Sequence, residues 1–257
     1  VNMNLSEVLN VGKYSLFVMI FTMATAFGAG NLIGKIFGMN WKITNLLSVS
    51  TAICGGSAVA AVGPAIKAKD EDIAYAISST FIFDVLTVVV IPWIGIALGM
   101  SDTGYGLWVG TAVNDTSSVV AAGYAFSEFA GNTSVIVKLT RTLFIIPYVL
   151  MFSVITERLE AKSETANGRT AINLKKIFPY FIILFLVVVV LRSTGIIPGI
   201  LIPALSKTSK FCMIMALSAI GLKTSFRDIR DIGLKPMILG FIVDTLVVFV
   251  SIGVQIV

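Results

Sequence analysis

The strongest constraint on this chain is the length of its apolar runs. Residues 73–99, 177–196 and 236–257 each approach or exceed the ~20 residues that a helix needs to cross a ~30 Å hydrocarbon core, and they carry almost no charge. In lipid every backbone N–H and C=O must be satisfied internally, which leaves helices or a closed barrel. Segments this long and this apolar are helices. Composition agrees: 13% of the residues are charged, against roughly 25% in soluble domains, and the mean hydropathy is +0.95. The expectation is an all-α, polytopic membrane helix bundle that passes through a lipid bilayer several times.

The same ruler predicts eight segments: 14–38, 44–68, 73–99, 105–127, 133–156, 177–196, 199–222 and 236–257. The second is interrupted by "CGGS" and the fourth by "VNDTSS". Domain organisation follows. Residues 1–156 hold the first five membrane segments with both interrupted helices. Residues 157–176 form a polar loop containing "KSETANGRT", and 177–257 hold the last three segments. If every segment crosses, Lys35, Lys42, Arg158, Lys162, Arg169, Lys175, Lys176, Lys223, Arg227, Arg230 and Lys235 gather on one side. Lys13, Lys67, Lys69, Lys207 and Lys210 gather on the other. The basic side is expected to be cytoplasmic.

A short internal repeat links the two ends. "LSEVLNVG" (5–12) and "FRDIRDIG" (226–233) share a pattern of apolar, acidic and Gly positions, each followed by a long apolar helix. The two helices are the first and the eighth of the segments, an odd number of crossings apart, so they are expected to run in opposite directions, as in inverted-topology repeats of secondary transporters. Chance similarity of two amphipathic stretches is the alternative. If the repeat is real, the natural protein is expected to continue upstream of Val1 by one or more helices.

Composition also narrows the chemistry. There is no histidine, which removes His-based zinc sites and Ser-His-Asp catalysis. Cys54 and Cys212 imply no disulfide scaffold. The net charge of +5 reads as cytoplasmic Lys and Arg, not as a nucleic-acid surface. No phosphate loop, metal cluster or activated nucleophile is present, so no enzyme activity, metal or cofactor is expected.

Two stretches carry the functional signal. In "STAICGGSAVAAVGPAIKA" (50–68), the paired Gly55 and Gly56 break a membrane helix beside Cys54 and Ser57. Broken backbone at membrane depth is tolerated where it is buried in protein or lines a cavity, and the new helix start is an anion seat. Gly-rich packing without a ligand is the bland alternative. In "GTAVNDTSSVVAAG" (110–123), Asn114, Asp115, Thr116, Ser117 and Ser118 are helix N-cap residue types. Asp115 either caps its own helix or holds a coupling ion. Lys138 and Arg141 share one helix face. They either snorkel to the membrane surface, attract an anion or neutralise Asp115. Asp84, Arg192 and Asp244 are lone charges in or near other spans and rank lower.

With "VIVKLTRTLFIIPY" and "SAIGLKTSFRDIRDIGLKP", these stretches resemble the YeiH-type sulfate exporter family of bacterial inner-membrane proteins over essentially the whole chain. The resemblance implies a fold like the bile-acid/sodium symporters, with inverted repeats and broken helices, and members longer at the N-terminus. Many members look to carry a His before the acid, where this chain has Asn114. The expected function is secondary transport of a small anion (sulfate-like, a sulfonate or a carboxylate). Its site would comprise Cys54, Gly55, Gly56, Ser57, Asn114, Thr116, Ser117, Ser118, Lys138 and Arg141, with Asp115 coupling sodium or a proton. The alternatives are a sodium- or proton-coupled symporter of an organic solute, and a non-transporting sensor or assembly component. The bilayer is the expected partner; a homo-oligomer is open.

Overall fold

A computed structural model describes residues 5–164 and 234–256, with single helical positions at 204, 207, 208, 211 and 215. The segments 177–196 and 199–222, Arg192, Cys212 and the second repeat copy (226–233) lie outside the described residues. Among the described residues all regular structure is helical: α1 (Leu5–Ile36), α2 (Trp41–Ala52), α3 (Gly56–Ala65), α4 (Asp70–Ala97), α5 (Asp102–Ala112), α6 (Thr116–Phe126), α7 (Glu128–Thr142), α8 (Ile145–Glu164) and α9 (Lys235–Ile256). Residues 157–164 continue α8 and do not open the expected polar loop. Four stretches among the described residues are long and apolar enough to cross a membrane: Lys13–Ile36, Asp70–Ala97, Glu128–Leu159 and Lys235–Gln255.

The two interrupted segments break where the sequence indicated, but neither crosses. Helices α2 and α3 have 12 and 10 residues, about 18 and 15 Å at 1.5 Å per residue, half a bilayer each. They double back on each other. Lys42, in the first turn of α2, donates from Nζ to the carbonyl of Lys67, just beyond α3, at 2.6 Å. Helices α5 and α6 double back likewise. Ser127 Oγ, after α6, donates to Asp102 Oδ1, at the start of α5, at 2.7 Å. Tyr105 donates to Ala122 O at 3.0 Å and stacks on Phe126 at 4.0 Å. Both are re-entrant hairpins, with tips at 53–55 and 113–115. This corrects the expected crossing of residues 44–68 and 105–127. It also corrects the sidedness, because Lys42 and Lys67 share one membrane face.

The hairpins enter from opposite faces. Helix α4 starts at the base of the first, where a β-carbon on Gly63 would lie 2.5 Å from Ile73. It ends at the base of the second, where a β-carbon on Gly95 would run into the Tyr105 ring. Gly55, with φ +66°, makes the first tip, and a β-carbon there would stand 3.5 Å from Asp115 N and 3.7 Å from Asn114 Cβ. The tips therefore meet near mid-depth. The expected fifth helix (133–156) is divided at Leu143–Phe144 into α7, which lies along the second hairpin, and α8, which lies along the first. Tyr148 of α8 stacks on Phe27 of α1 at 4.7 Å. Helix α9 passes both hairpins: a β-carbon on Gly240 would lie 3.4 Å from Leu47 of α2, and Trp108 of α5 donates to Val248 O at 3.1 Å. Outward residues such as Phe17, Val89, Trp93 and Phe249 are exposed apolar side chains suited to lipid.

Close contact between α5 and α7 depends on small residues. A β-carbon on Gly110 would fall 2.6 Å from Val137 Cβ and 2.8 Å from Ser134 O. Gly110→Ala should cost about 1–3 kcal/mol by overpacking. Gly28, with nothing within 4 Å, is the control: Gly28→Ala should be neutral or stabilising by up to ~1 kcal/mol. Melting temperatures of the purified variants check both.

Candidate functional site

A re-entrant hairpin leaves a helix C-terminus and a helix N-terminus together at membrane depth, each with unpaired backbone groups. At the first tip Gly55 N bonds Ser50 O at 2.9 Å and Ile53 N bonds Val49 O at 3.0 Å. The carbonyls of Thr51, Ala52 and Ile53 then face inward without helical partners. Arg141 takes two of them: Nε donates to Ala52 O at 2.6 Å, and a terminal nitrogen donates to Thr51 O. Lys138 Nζ donates to Ile53 O at 2.8 Å. Each also reaches the second tip, Lys138 to Val113 O at 3.0 Å and Arg141 to Thr111 O at 2.5 Å.

Lys138 and Arg141 are 0% exposed. They do not snorkel, and these bonds do not reach the Asp115 carboxylate. Both sit where two negative helix ends converge, the place where a buried cation is most stabilised. The i, i+3 spacing puts them on one face of α7, as the sequence indicated; what that face touches depends on tertiary structure.

The second tip receives a carboxylate from outside its own hairpin. Asp84, midway along α4, accepts from Asn114 N at 3.0 Å and from Asp115 N at 2.9 Å. Asp115 caps α6, accepting from Ser117 N at 2.8 Å, Ser118 N at 3.4 Å and the Ser117 hydroxyl. Asp244, midway along α9, accepts from Thr51 Oγ1 at 2.5 Å and Asn114 Nδ2 at 2.9 Å, so it ties one tip to the other. Asp84 and Asp244 are buried. They ranked low in the sequence, although a lone carboxylate at the centre of an apolar span is itself a signal of an internal partner.

The other expected residues divide. Cys54 is buried against the tips. Gly56, Ser57, Asp115, Thr116 and Ser118 are half-buried, and Ser117 is exposed. The start of α3 has no side-chain cap, whereas the first N–H groups at the α6 end are taken by Asp84 and Asp115. Of the two helix starts expected to seat an anion, α3 offers the uncapped one.

Residues 1–240 match the family described as Conserved hypothetical protein 698. A UPF0324 membrane protein of Clostridium tetani is 58% identical, covering 99% of this chain and 76% of the relative. UPF0324 membrane proteins of Streptococcus mutans and Streptococcus pneumoniae are 38% and 40% identical, each covering 98% of this chain and 76% of the relative. The chain belongs to this UPF0324 membrane protein family. No solved structure matches it. Family membership and the apolar helices make it a multi-pass protein of a bacterial membrane.

The bonding pattern separates support from capping. Lys138→Met orphans Ile53 O and Val113 O, and should lower stability by on the order of 1–3 kcal/mol for each carbonyl. Arg141→Met should cost at least as much. Asp115→Asn keeps a good N-cap and should cost less than about 1 kcal/mol. Thermal melts of the three variants in one detergent test the ranking.

Proposed function

We propose that the protein is a secondary transporter of a small anion, sulfate-like, a sulfonate or a carboxylate, with its site at the meeting hairpin tips. One observation carries the reading: two re-entrant hairpins from opposite faces touch near mid-depth, held by the buried charges of Asp84, Lys138, Arg141 and Asp244. Irregular backbone at that depth belongs where it is buried in protein or lines a pathway, and helix starts facing such a point suit anionic groups. The uncapped start of α3, with half-buried Gly56 and Ser57, is the seat assigned to the anion. The resemblance to sulfate exporters supports the same class.

The opposed hairpins also fit an inverted repeat: a hairpin based on one face, the α4 crossing, then a hairpin based on the other. Positive charge orients the pair. Lys35, Lys42, Lys67 and Lys69 cluster at the base of the first hairpin, so that face is assigned to the cytoplasm. A sodium- or proton-coupled symporter of an organic solute is the second reading, favoured by the buried carboxylates of Asp84 and Asp244.

Ser57→Asp tests the seat. A carboxylate in the first turn stabilises a helix by about 0.3–1 kcal/mol, and it would occupy the place of the anion. Uptake of labelled sulfate, small sulfonates and small carboxylates into proteoliposomes should be lost while the melting temperature holds or rises. Unchanged uptake by the Ser57→Asp variant would remove the anion from this helix start.

A further inference from the structure

We propose that Asp244, Asn114 Oδ1 and Thr51 Oγ1 form a binding site for one sodium ion, which clasps the two hairpin tips to α9. Two independent observations lead there. The first is an orphan atom. Asn114 is 0% exposed, and its Nδ2 donates to Asp244, but its Oδ1 has no partner among the described residues. A buried acceptor without a donor is costly, and this one belongs to an amide already held against a carboxylate. Thr133 Oγ1 is also unpartnered, but it lies beside Gly106, away from the tips.

The second observation is charge balance. The ends of α2 and α5 bring partial negative charge and the starts of α3 and α6 bring partial positive charge, so the four helix ends cancel. Lys138 and Arg141 offset Asp84 and Asp244, all four buried. Asp115 at the rim adds one negative charge. An anion arriving at α3 makes the site more negative still, at a depth where net charge is expensive. A companion cation restores the balance, and its charge of one matches a site with a single carboxylate ligand. Arg141 does not exclude it. Its guanidinium bonds go to the Thr51, Ala52 and Thr111 carbonyls and leave the Asp244 carboxylate to Thr51 Oγ1 and Asn114 Nδ2.

The ligands come from three elements: Thr51 from the last turn of α2, Asn114 from the second tip and Asp244 from α9. Hard cations take such oxygen donors, and unwound backbone beside half-helix ends is a common sodium seat in transporters. Occupancy would fix the two tips relative to α9. The ion is thus the coupling partner for the transport reading above, although its binding is measured without any flux.

The test is direct binding of radioactive sodium to the purified full-length protein, together with melting temperature. Both are measured in sodium, potassium and choline chloride at constant ionic strength, and at two pH values. The expected result is saturable sodium binding and stabilisation that potassium and choline do not reproduce. Asp244→Asn keeps the shape, and its amide oxygen can still accept from Thr51 Oγ1 and Asn114 Nδ2. It should fold and weaken sodium binding by about 100-fold or more, since losing even an outer-shell partner of a metal ligand costs about 10–100-fold. Thr51→Val should weaken it less, and Glu128→Gln, exposed at the far face, should not. No saturable sodium binding, equal stabilisation by potassium, or a response to pH alone would each overturn the site. Anion flux that persists without sodium binding would overturn this inference and leave the transport reading standing. Sodium binding without anion flux would do the reverse.

Discussion

Five hydrogen bonds from two side chains make the rest of the arrangement tenable. Lys138 and Arg141 donate to carbonyls of Thr51, Ala52, Ile53, Thr111 and Val113, and so satisfy groups that the broken helices α2 and α5 would otherwise leave bare in a dry interior. Neither partner is stable alone. The open carbonyls need donors, and two buried cations need negative charge within reach. The small residues Gly106, Gly110 and Ser134 let α7 come close enough for the bonds to form, so a packing detail and an electrostatic one support each other.

Around that contact the charges sort by helix end. The cations lie at C-termini, and the Asp84 and Asp115 carboxylates lie at the N-terminus of α6. Asp244 bridges Thr51 and Asn114 from a third element. Each tip is therefore held by groups from other helices as well as its own. A change at one tip can reach the other through α7 or α9, the route by which the proposed anion and cation would be coupled.

Much of this was legible in the sequence. Long apolar runs gave the helical class, and Gly55–Gly56 and Asn114–Ser118 marked both breaks to within a residue or two. The i, i+3 spacing placed Lys138 and Arg141 on one face. The direction after each break was not legible. Twenty-odd apolar residues with a central interruption have the same composition whether they cross or return. The return is fixed by long-range contacts, Lys42 with Lys67 and Asp102 with Ser127. Asp84 and Asp244 were visible as lone charges, but their targets lie about 30 and 130 residues away and local pattern cannot pair them. The division at Leu143–Phe144 has no glycine to announce it; Pro147, three residues on, was the available hint.

The central claim is that residues 41–67 and 102–127 each return to the face they left. Single cysteines at Lys42, Lys69, Thr103 and Glu128, in a protein with Cys54 and Cys212 replaced by alanine, decide it with a membrane-impermeant thiol reagent. The account predicts that positions 42 and 69 label from one side of the membrane only, and that 103 and 128 label only from the other. Labelling of 42 and 69 from opposite sides, or of 103 and 128 from opposite sides, would show a crossing segment and contradict it.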